Sequence, residues 1–265
     1  MATTRFESAA PDPLVYLDRL AASDLGRAYK GRMLAELGVR PGHTVLDLGC
    51  GPGADLGALA EAATVTGRVI GVDHDQAAVD AARERTAGRH TVTVRLGDIH
   101  ELPLADGTAE RARTDRVLQH AADPARVLRE VRRVLRPGGR LVMGEPDWHT
   151  LTVDHPDGDL SLAYTGYVTD RVIRHARIGS GLPRLAVEAG FTVPVVIPVT
   201  PVLRDVRAAD AILGLERTTR RAVADGCLTE EAAQRWLDHL ADGPFLASVV
   251  FYIVVAEVPP QQGGE

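Results

Sequence analysis

The chain is poor in cysteine and in aromatic residues, and both shortages narrow the classes of protein to which it can belong. Its two cysteines, Cys50 and Cys227, lie far apart in sequence, so neither a disulfide framework nor a cysteine metal site is indicated. Reduced thiols are typical of cytoplasmic proteins, and we expect that location. Aromatic residues make up only 4% of the chain, which disfavours a surface that stacks nucleic-acid bases.

An excess of positive charge and a long apolar segment are also missing. The formal net charge is −6, so neither nucleic acid nor an anionic membrane is an expected partner. The longest apolar run, 245–256, is too short to cross a bilayer as a helix, and we interpret it as a buried strand. Pro11 and Pro13 interrupt the N-terminus before any apolar signal-peptide core, so export is not expected.

The most informative stretch that is present is an apolar strand, 45–48, followed by Gly49, Gly51 and Gly53. Glycine lacks the Cβ atom that would keep the backbone from a ligand, and a helix near 54–63 begins beside this turn. The pattern indicates a nucleotide-like cofactor. It also fits the loose dinucleotide-binding fingerprint, so the glycines alone do not exclude a nicotinamide cofactor.

Acidic residues at the ends of successive strands separate these two cofactors. Asp47 would repel a dinucleotide pyrophosphate but attract a cationic group. Asp73, at the end of the next strand, can accept hydrogen bonds from both ribose hydroxyls, a feature that alone suits either cofactor. Asp98 ends a third strand beside the apolar Ile99, a pair suited to the edge and face of an adenine ring. Three acidic strand ends in succession favour S-adenosylmethionine.

Alternating strand and helix patterns predict an α/β fold with a doubly wound, mostly parallel sheet and helices on both faces. Ligands in such sheets bind beyond the carboxyl ends of the strands, where these acids lie. Strands are predicted near 43–48, 68–72, 91–96, 110–115 and 139–145, with helices near 54–63, 75–87 and 124–135.

Five motifs in this order resemble those of class I S-adenosylmethionine-dependent methyltransferases, in the group that acts on quinones and natural products. They are residues 47–53, 71–73, 97–99, 117–124 and 134–139. The resemblance covers about 27–140. It implies a Rossmann-like fold with seven strands, an antiparallel last strand and helical lid insertions. It also supports strand 110–115, which is too polar to be central by periodicity alone.

The resemblance also implies where the cofactor binds. Asp73 would hold the ribose, His74 would lie against the adenine, and Gly97, Asp98 and Ile99 would surround the adenine ring. Arg116 would contact the cofactor through its backbone, with its side chain paired to Asp115 or Asp123. The methionine part would lie along Asp47, Gly49, Cys50 and Gly51.

A helical segment, 13–37, precedes the first strand and would cover the cofactor. In it, Arg32 or Lys30 would meet the methionine carboxylate, and Tyr29 would close over the sulfonium, since a cation is attracted to an aromatic face. A solvated helix face is the competing interpretation of each residue. Tyr16, on the same segment, is a candidate substrate contact.

Methyl transfer needs alignment, and a base contributes only when the acceptor must lose a proton. His120 follows the fourth strand and His149 follows the fifth, so both are candidate bases. His120 competes with a structural role beside the helix that Asp123 would cap. Asp147 would orient His149, and Trp148 would form a wall of the substrate site. The group Asp154, His155 and Asp157 lacks a firm ligand spacing, and no metal is predicted.

Five segments are predicted: a helical cap 1–37, a cofactor-binding core 38–145, an inserted lid 146–179, the rest of the core 180–258 with a helical insertion 206–240, and a disordered tail 259–265. The insertion is expected to hold two helical segments, with Thr229 as an N-cap. The expected function is methyl transfer from S-adenosylmethionine to oxygen or carbon of a small molecule that is phenolic, quinone-like or another secondary metabolite. The alternative is an adenosylmethionine-binding protein with a non-methylating role. A homodimer is left open.

Overall fold

A computed structural model describes residues 13–260, apart from the side chains of Pro13 and Tyr16. These residues form ten α-helices and eight β-strands. The strands are β1 (Thr44–Leu48), β2 (Arg68–Asp73), β3 (Val92–Leu96), β4 (Ala109–Asp115), β5 (Leu135–Val153), β6 (Thr192–Val199), β7 (Val202–Leu203) and β8 (Ala247–Glu257). The helices are α1 (Pro13–Ala22), α2 (Asp24–Leu37), α3 (Leu56–Ala63), α4 (Gln76–Arg85), α5 (Pro124–Val134), α6 (Gly158–Tyr167), α7 (Ile178–Glu188), α8 (Val206–Leu213), α9 (Leu215–Ala224) and α10 (Glu230–Asp242).

The strands form one sheet in the order β3-β2-β1-β4-β5-β8-β6, and the short β7 pairs with β8. β1 to β5 run parallel, and β8 runs antiparallel between β5 and β6. The predicted doubly wound sheet with an antiparallel last strand is therefore confirmed, with the two-residue β7 added to the expected seven strands. The strand order reverses between β1 and β4, which is where such sheets bind ligands.

Helices cover both faces of the sheet, as the alternating pattern predicted. On one face, α2, α3 and α4 pack through residues such as Met33, Leu56 and Val79. On the other, α5 and α7 pack through Leu128 and Leu182. Because both faces are covered, the central strands are buried on both sides and need few polar residues.

β4 is the exception to this apolar rule, and it nevertheless lies between β1 and β5 as predicted. Arg113, Ala112 and Thr114 of this strand are buried. Several polar residues of β4 are tolerated because neighbouring polar groups pair with them. Glu110, for example, accepts a hydrogen bond at 2.7 Å from the backbone N–H of Thr44, and Arg113 lies directly opposite Asp47 of β1.

β5 continues through Val153, past the predicted end near 145 and into the segment expected to begin the lid. The reason is its partner: the apolar run that forms β8 pairs with β5 from Arg140 as far as Val153. The pairing is interrupted once, where residues 148–151 of β5 face Val249 alone. This bulge carries Trp148 and His149.

The N-terminal segment is two helices, where the sequence indicated a single helical stretch. Ser23 caps α2 by accepting a hydrogen bond at 2.9 Å from the Gly26 backbone N–H. A Cβ atom on Gly26 would lie 1.9 Å from the Leu20 carbonyl oxygen, so the close approach of α1 and α2 requires glycine here.

Two predicted helix caps are present. Asp123 accepts a hydrogen bond from the Arg126 N–H at the start of α5, and Thr229 accepts one from the Ala232 N–H at the start of α10. The segment 206–240, expected to hold two helices, contains α8, α9 and most of α10.

A separate apolar cluster joins α6 and a π-helical turn (Val168–Val172) to α8, α9 and α10. Its centre is Trp236, which is fully buried and stacks on Tyr164 with ring centroids 4.8 Å apart. Helices α6, α8, α9 and α10 therefore share a core separate from those on the two faces of the sheet. Among the helices described, none is both long and apolar enough to cross a membrane.

The sheet core sets the first testable prediction. Leu141 of β5 is fully buried in the larger apolar cluster, so Leu141→Ala should lower the free energy of unfolding by about 2–5 kcal/mol. The matched control is Leu162→Ala on α6, because Leu162 is 71% exposed and should change stability by less than about 0.5 kcal/mol. Urea unfolding measures both, and equal losses would contradict this description of the core.

Candidate functional site

The glycine-rich turn after β1 adopts the conformation that its sequence requires. Gly49, Gly51 and Gly53 all have left-handed backbone angles, with φ of 64°, 52° and 78°. A Cβ atom on Gly49 would also lie 2.4 Å from a methyl carbon of Val117, in the loop after β4. Glycine is therefore needed for both angle and space, and the turn lies at the switch point of the sheet.

Asp73, at the end of β2, holds this turn. Its Oδ2 accepts a hydrogen bond at 2.8 Å from the Gly51 N–H, and its Oδ1 accepts one at 3.0 Å from the Asp75 N–H. A carboxylate has about four lone-pair positions, so both oxygens keep acceptor capacity for the hydroxyls of a ribose.

A buried guanidinium ties together three carboxylates next to the turn. The Arg113 side chain is 5% exposed and lies 3.7 Å from Asp47, 2.9 Å from Asp55 and 3.2 Å from Asp115. Lys30 of α2 adds a second cation, with its Nζ 2.6 Å from both Asp55 and Asp115. Arg113 thus contacts all three acids, and Lys30 contacts two of them.

The pKa values reflect the balance between burial and these cations. Burial raises the pKa of Asp47 to about 7, even though Arg113 opposes the shift. Burial has the same effect on Asp55 and Asp115, but the nearby cations outweigh it. The pKa values of these two carboxyls therefore lie below their usual range. The same acids raise the pKa of the Arg113 guanidinium, which remains charged.

The turn, the network and α1 surround what we call the first cavity, which has a volume of about 50 Å³. Leu17 of α1 lies over the turn, 3.4 Å from where a Cβ atom on Gly51 would stand. The lining of the first cavity combines carboxylates and cations with the backbone of the glycine-rich turn. This donor set fits S-adenosylmethionine, with acids for its positive charges and a cation for its carboxylate, and Asp73 beside the turn has acceptor capacity for its ribose. The polar lining includes Lys30, Asp47, Asp55, Arg113, Asp115 and Arg116.

Of the two candidates for the methionine carboxylate, Lys30 lines the first cavity and Arg32 does not. Arg32 is instead paired with Glu36 at 2.8 Å on the outer surface of α2. Residues two apart on a helix do not share a face, which explains the difference. Tyr29 is buried against Phe251, and its hydroxyl donates a hydrogen bond to Asp115 at 3.2 Å. It therefore stabilises one carboxylate of the Arg113 network.

The remaining cofactor candidates surround the same edge of the sheet. Cys50 lines the first cavity, and burial raises the pKa of its thiol. Arg116 lines it as well, has a left-handed φ of 58° and lies 3.5 Å from Asp115, the first of its two expected partners.

At the ends of β2 and β3, His74 is almost fully exposed, with Nδ1 3.4 Å from Asp73. Gly97 donates its N–H to the Asp73 carbonyl at 2.9 Å. Asp98 is exposed and holds the ring of His100 at 2.6 Å, while Ile99 packs against the core. The adenine and ribose candidates thus lie together, and their roles stay predictions.

The two histidine candidates differ in setting. His120 lies in the loop after β4, and its pKa is lowered by burial, then by Arg116, Arg174 and His175, so it is neutral at neutral pH. His149 lies in the β5 bulge and lines what we call the second cavity, a groove of about 500 Å³ between the starts of α5 and α7.

The residues around His149 are held by backbone contacts. Asp147 is buried, and its carboxylate accepts the backbone N–H groups of His149 at 3.1 Å and Ser180 at 3.2 Å, so it fixes the bulge and not the imidazole ring. Trp148 donates its indole N–H to Gln119 at 2.7 Å. The side chain of Tyr16 lies outside the described residues.

Glu145 is a buried group that the sequence reasoning left out of the site. Its Oε1 accepts the N–H groups of Val117 at 2.8 Å and Leu118 at 2.6 Å, which positions the loop after β4. Burial raises its pKa to about 8. Arg113 was missed too, and its signal was an arginine two residues before the acidic end of an unusually polar strand.

The predicted absence of a metal rests on the weak spacing of Asp154, His155 and Asp157. In the structure, His155 accepts the Asp157 backbone N–H at 3.0 Å, which is a local loop contact. Within residues 13–260, no three histidine, cysteine or acidic side chains form a group that could hold a metal ion.

Comparisons with known proteins agree with this geometry. A family model described as a methyltransferase domain matches residues 40–171. An uncharacterized 37.1 kDa protein in transposon TN4556 of Streptomyces fradiae is 60% identical over 255 residues, which cover 96% of this chain and 74% of that protein. Demethylmenaquinone methyltransferase of Staphylococcus aureus (strain JH9) is 32% identical over 137 residues, which cover 52% of this chain and 57% of that enzyme.

A solved structure shares the fold at low sequence identity. The crystal structure of a SAM dependent methyltransferase from Aquifex aeolicus matches with a TM-score of 0.58 and 18% identity, covering 94% of this chain and all of that one. By contrast, the match to the staphylococcal enzyme spans little more than half of that enzyme's length.

The buried network generates the second prediction. Arg113→Met should lower the free energy of unfolding by about 3–5 kcal/mol, because it removes the cation that three neighbouring carboxylates share. Arg113→Lys keeps the charge and should cost less. The control is Arg68→Met, at the exposed start of β2. Denaturant unfolding of the four proteins tests this, and an Arg113→Met variant as stable as the parent would refute the network's role.

Proposed function

Because this chain belongs to the class I S-adenosylmethionine-dependent methyltransferases, we propose that it moves a methyl group to oxygen or carbon of a small-molecule acceptor. The observation that supports this proposal is the position of two candidate bases beyond the carboxyl ends of β4 and β5: His120 lies in the loop that begins at Arg116 of the first cavity, and His149 lines the second cavity. The acceptor is a phenolic, quinone-like or other secondary metabolite. The second cavity, lined by His149, is where it would bind.

The residues of the first cavity, together with Asp73 beside it, would bind different parts of the cofactor. Asp73 would hold the ribose hydroxyls, the turn from Gly49 to Gly51 would lie along the methionine chain, and Lys30 would meet its carboxylate. When bound, S-adenosylmethionine supplies an electrophilic methyl group on a sulfonium that is a good leaving group. The protein's own task is then to bind both molecules in line, which can contribute about 7–11 kcal/mol.

A base is needed only if the acceptor atom carries a proton. His120 is suited to accept it, because burial and the neighbouring arginines keep its ring neutral, and a neutral imidazole has a free lone pair. His149 is the alternative, because it lines the cavity that we assign to the acceptor. For transfer to carbon or to an ionised oxygen, neither ring would be required.

The overall proposal is tested by following adenosylhomocysteine release with a panel of phenols, quinones and related metabolites. We expect release with at least one acceptor, and a methylated product of matching mass. Tight cofactor binding with no release across the panel would support the alternative, a cofactor-binding protein with a non-methylating role.

The third prediction concerns the ribose contact. Asp73→Asn should weaken adenosylhomocysteine binding about tenfold or more, because hydrogen bonds to a charged group contribute about 1.5–3 kcal/mol. Asp80→Asn is the control, since Asp80 is an exposed acid on α4. Calorimetric titration measures both affinities, together with unfolding to confirm that the turn is intact. Unchanged affinity for Asp73→Asn would remove the ribose assignment.

The fourth prediction concerns the two histidines. With a hydroxyl acceptor, the variant that lacks the base should lose about 10²–10⁴ in turnover, while its affinity for adenosylhomocysteine stays the same. His120→Ala and His149→Ala are compared with each other, and His90→Ala serves as a control outside the site. Full turnover in both variants from about pH 6 to 9 would exclude base catalysis by either ring.

A further inference from the structure

The second cavity is basic, although the protein as a whole is acidic. The net charge of the chain is −6, yet residues 171–184 contain four arginines, one histidine and no acidic residue. Three of those arginines, Arg174, Arg177 and Arg184, line the second cavity together with His149 and His175. The cavity thus concentrates positive charge at one edge of a negatively charged molecule.

These cations are only weakly neutralised by the protein itself. In the part of the chain that the structure describes, Arg174 and Arg177 form no ion pair, whereas Arg184 pairs with Glu188 one helical turn away. Asp123 is the one carboxylate in the cavity lining. Its Oδ1 is used as the cap of α5, and its Oδ2 lies 3.8 Å from Arg129, outside the cavity.

The ends of two helices add to the positive electrostatic potential of the second cavity. The cavity is bounded by the first residues of α5 and of α7, two helices of 11 residues each. The N-terminal end of a helix carries a partial positive charge and attracts anions. Here that effect reinforces a cluster of guanidiniums, which are the side chains best shaped to bind carboxylates and phosphates.

His175 of the second cavity contacts the loop after β4, which begins at Arg116 of the first cavity. His175 donates its N–H to the Gln119 carbonyl at 3.3 Å, and its ring Nε2 lies 2.9 Å from the Ala121 carbonyl. After desolvation by burial, Arg116 of the first cavity and Arg174 of the second both lower the pKa of His120. His120 therefore lies within the electrostatic reach of both cavities.

We propose that the second cavity is an anion-binding subsite, in which Arg174, Arg177 and Arg184 hold a carboxylate or phosphate group of the methyl acceptor. This inference rests on the proposed function, because it assigns the cavity to the acceptor. It narrows the substrate class to small molecules that carry a negatively charged group away from the atom that receives the methyl group.

The test is binding of small anions to the full chain saturated with adenosylhomocysteine. The probes are benzoate, phenyl phosphate and the uncharged benzamide, followed by calorimetry or by chemical-shift titration. We expect at least one anion to bind about tenfold more tightly than benzamide, and the comparison of the two anions distinguishes a carboxylate from a phosphate site. Equal binding of all three probes, or of none, would overturn the proposal.

The matched variants are Arg174→Gln with Arg177→Gln, and Arg171→Gln as the control. Arg171 lies in the same basic stretch but does not line the cavity. The double variant should lose at least about tenfold in anion affinity, since charge-assisted contacts are lost, and the control should lose little. Equal losses in both would show a general charge effect and no subsite. Unchanged adenosylhomocysteine affinity and melting temperature confirm that the variants are folded.

Turnover separates this proposal from the proposed function. If anions bind as expected and no acceptor is methylated, the proposed function fails and the anion site remains. If neutral acceptors are methylated at rates that the double variant does not change, the proposed function remains and the anion site is overturned.

Discussion

The candidate site depends on one buried guanidinium. Arg113 comes from β4, and the carboxylates around it come from β1, from the residue before α3 and from the end of β4 itself. Without a shared cation, three acids within a few ångströms would repel one another and would keep their negative charge only at high cost. Arg113 and Lys30 therefore allow three carboxylates to line the first cavity inside the fold.

Much of the fold was predictable because its signals are local. The apolar strands before Asp47 and Asp73 and the caps at Asp123 and Thr229 are each encoded within a few residues. The extension of β5 was not, because it depends on pairing with a strand that is about 100 residues further along the chain. The roles of Lys30 and Arg113 were equally hidden, since only the packing of α2 and β4 shows which acids they meet.

The two cavities differ in their balance of charge. Three carboxylates and three cations line the first cavity, which is closed over by α1, whereas three arginines and a single carboxylate line the more open second cavity. The loop between Arg116 and Asp123 runs from one to the other, and Glu145 fixes its start through two backbone N–H groups. The first cavity therefore suits a ligand that carries both charges, whereas the excess of positive charge in the second agrees with the anion-binding role proposed for it.

The bulge in β5 has a consequence for how the protein can change. Asp147 and Thr152 remain paired with β8 on either side of residues 148–151, so the number of residues between them is not fixed by the sheet. An insertion or deletion there would alter the wall of the second cavity while the register of the central strands stayed the same. If the second cavity binds the acceptor, as proposed, acceptor recognition can diverge by changes of loop length, independently of the glycine-rich turn.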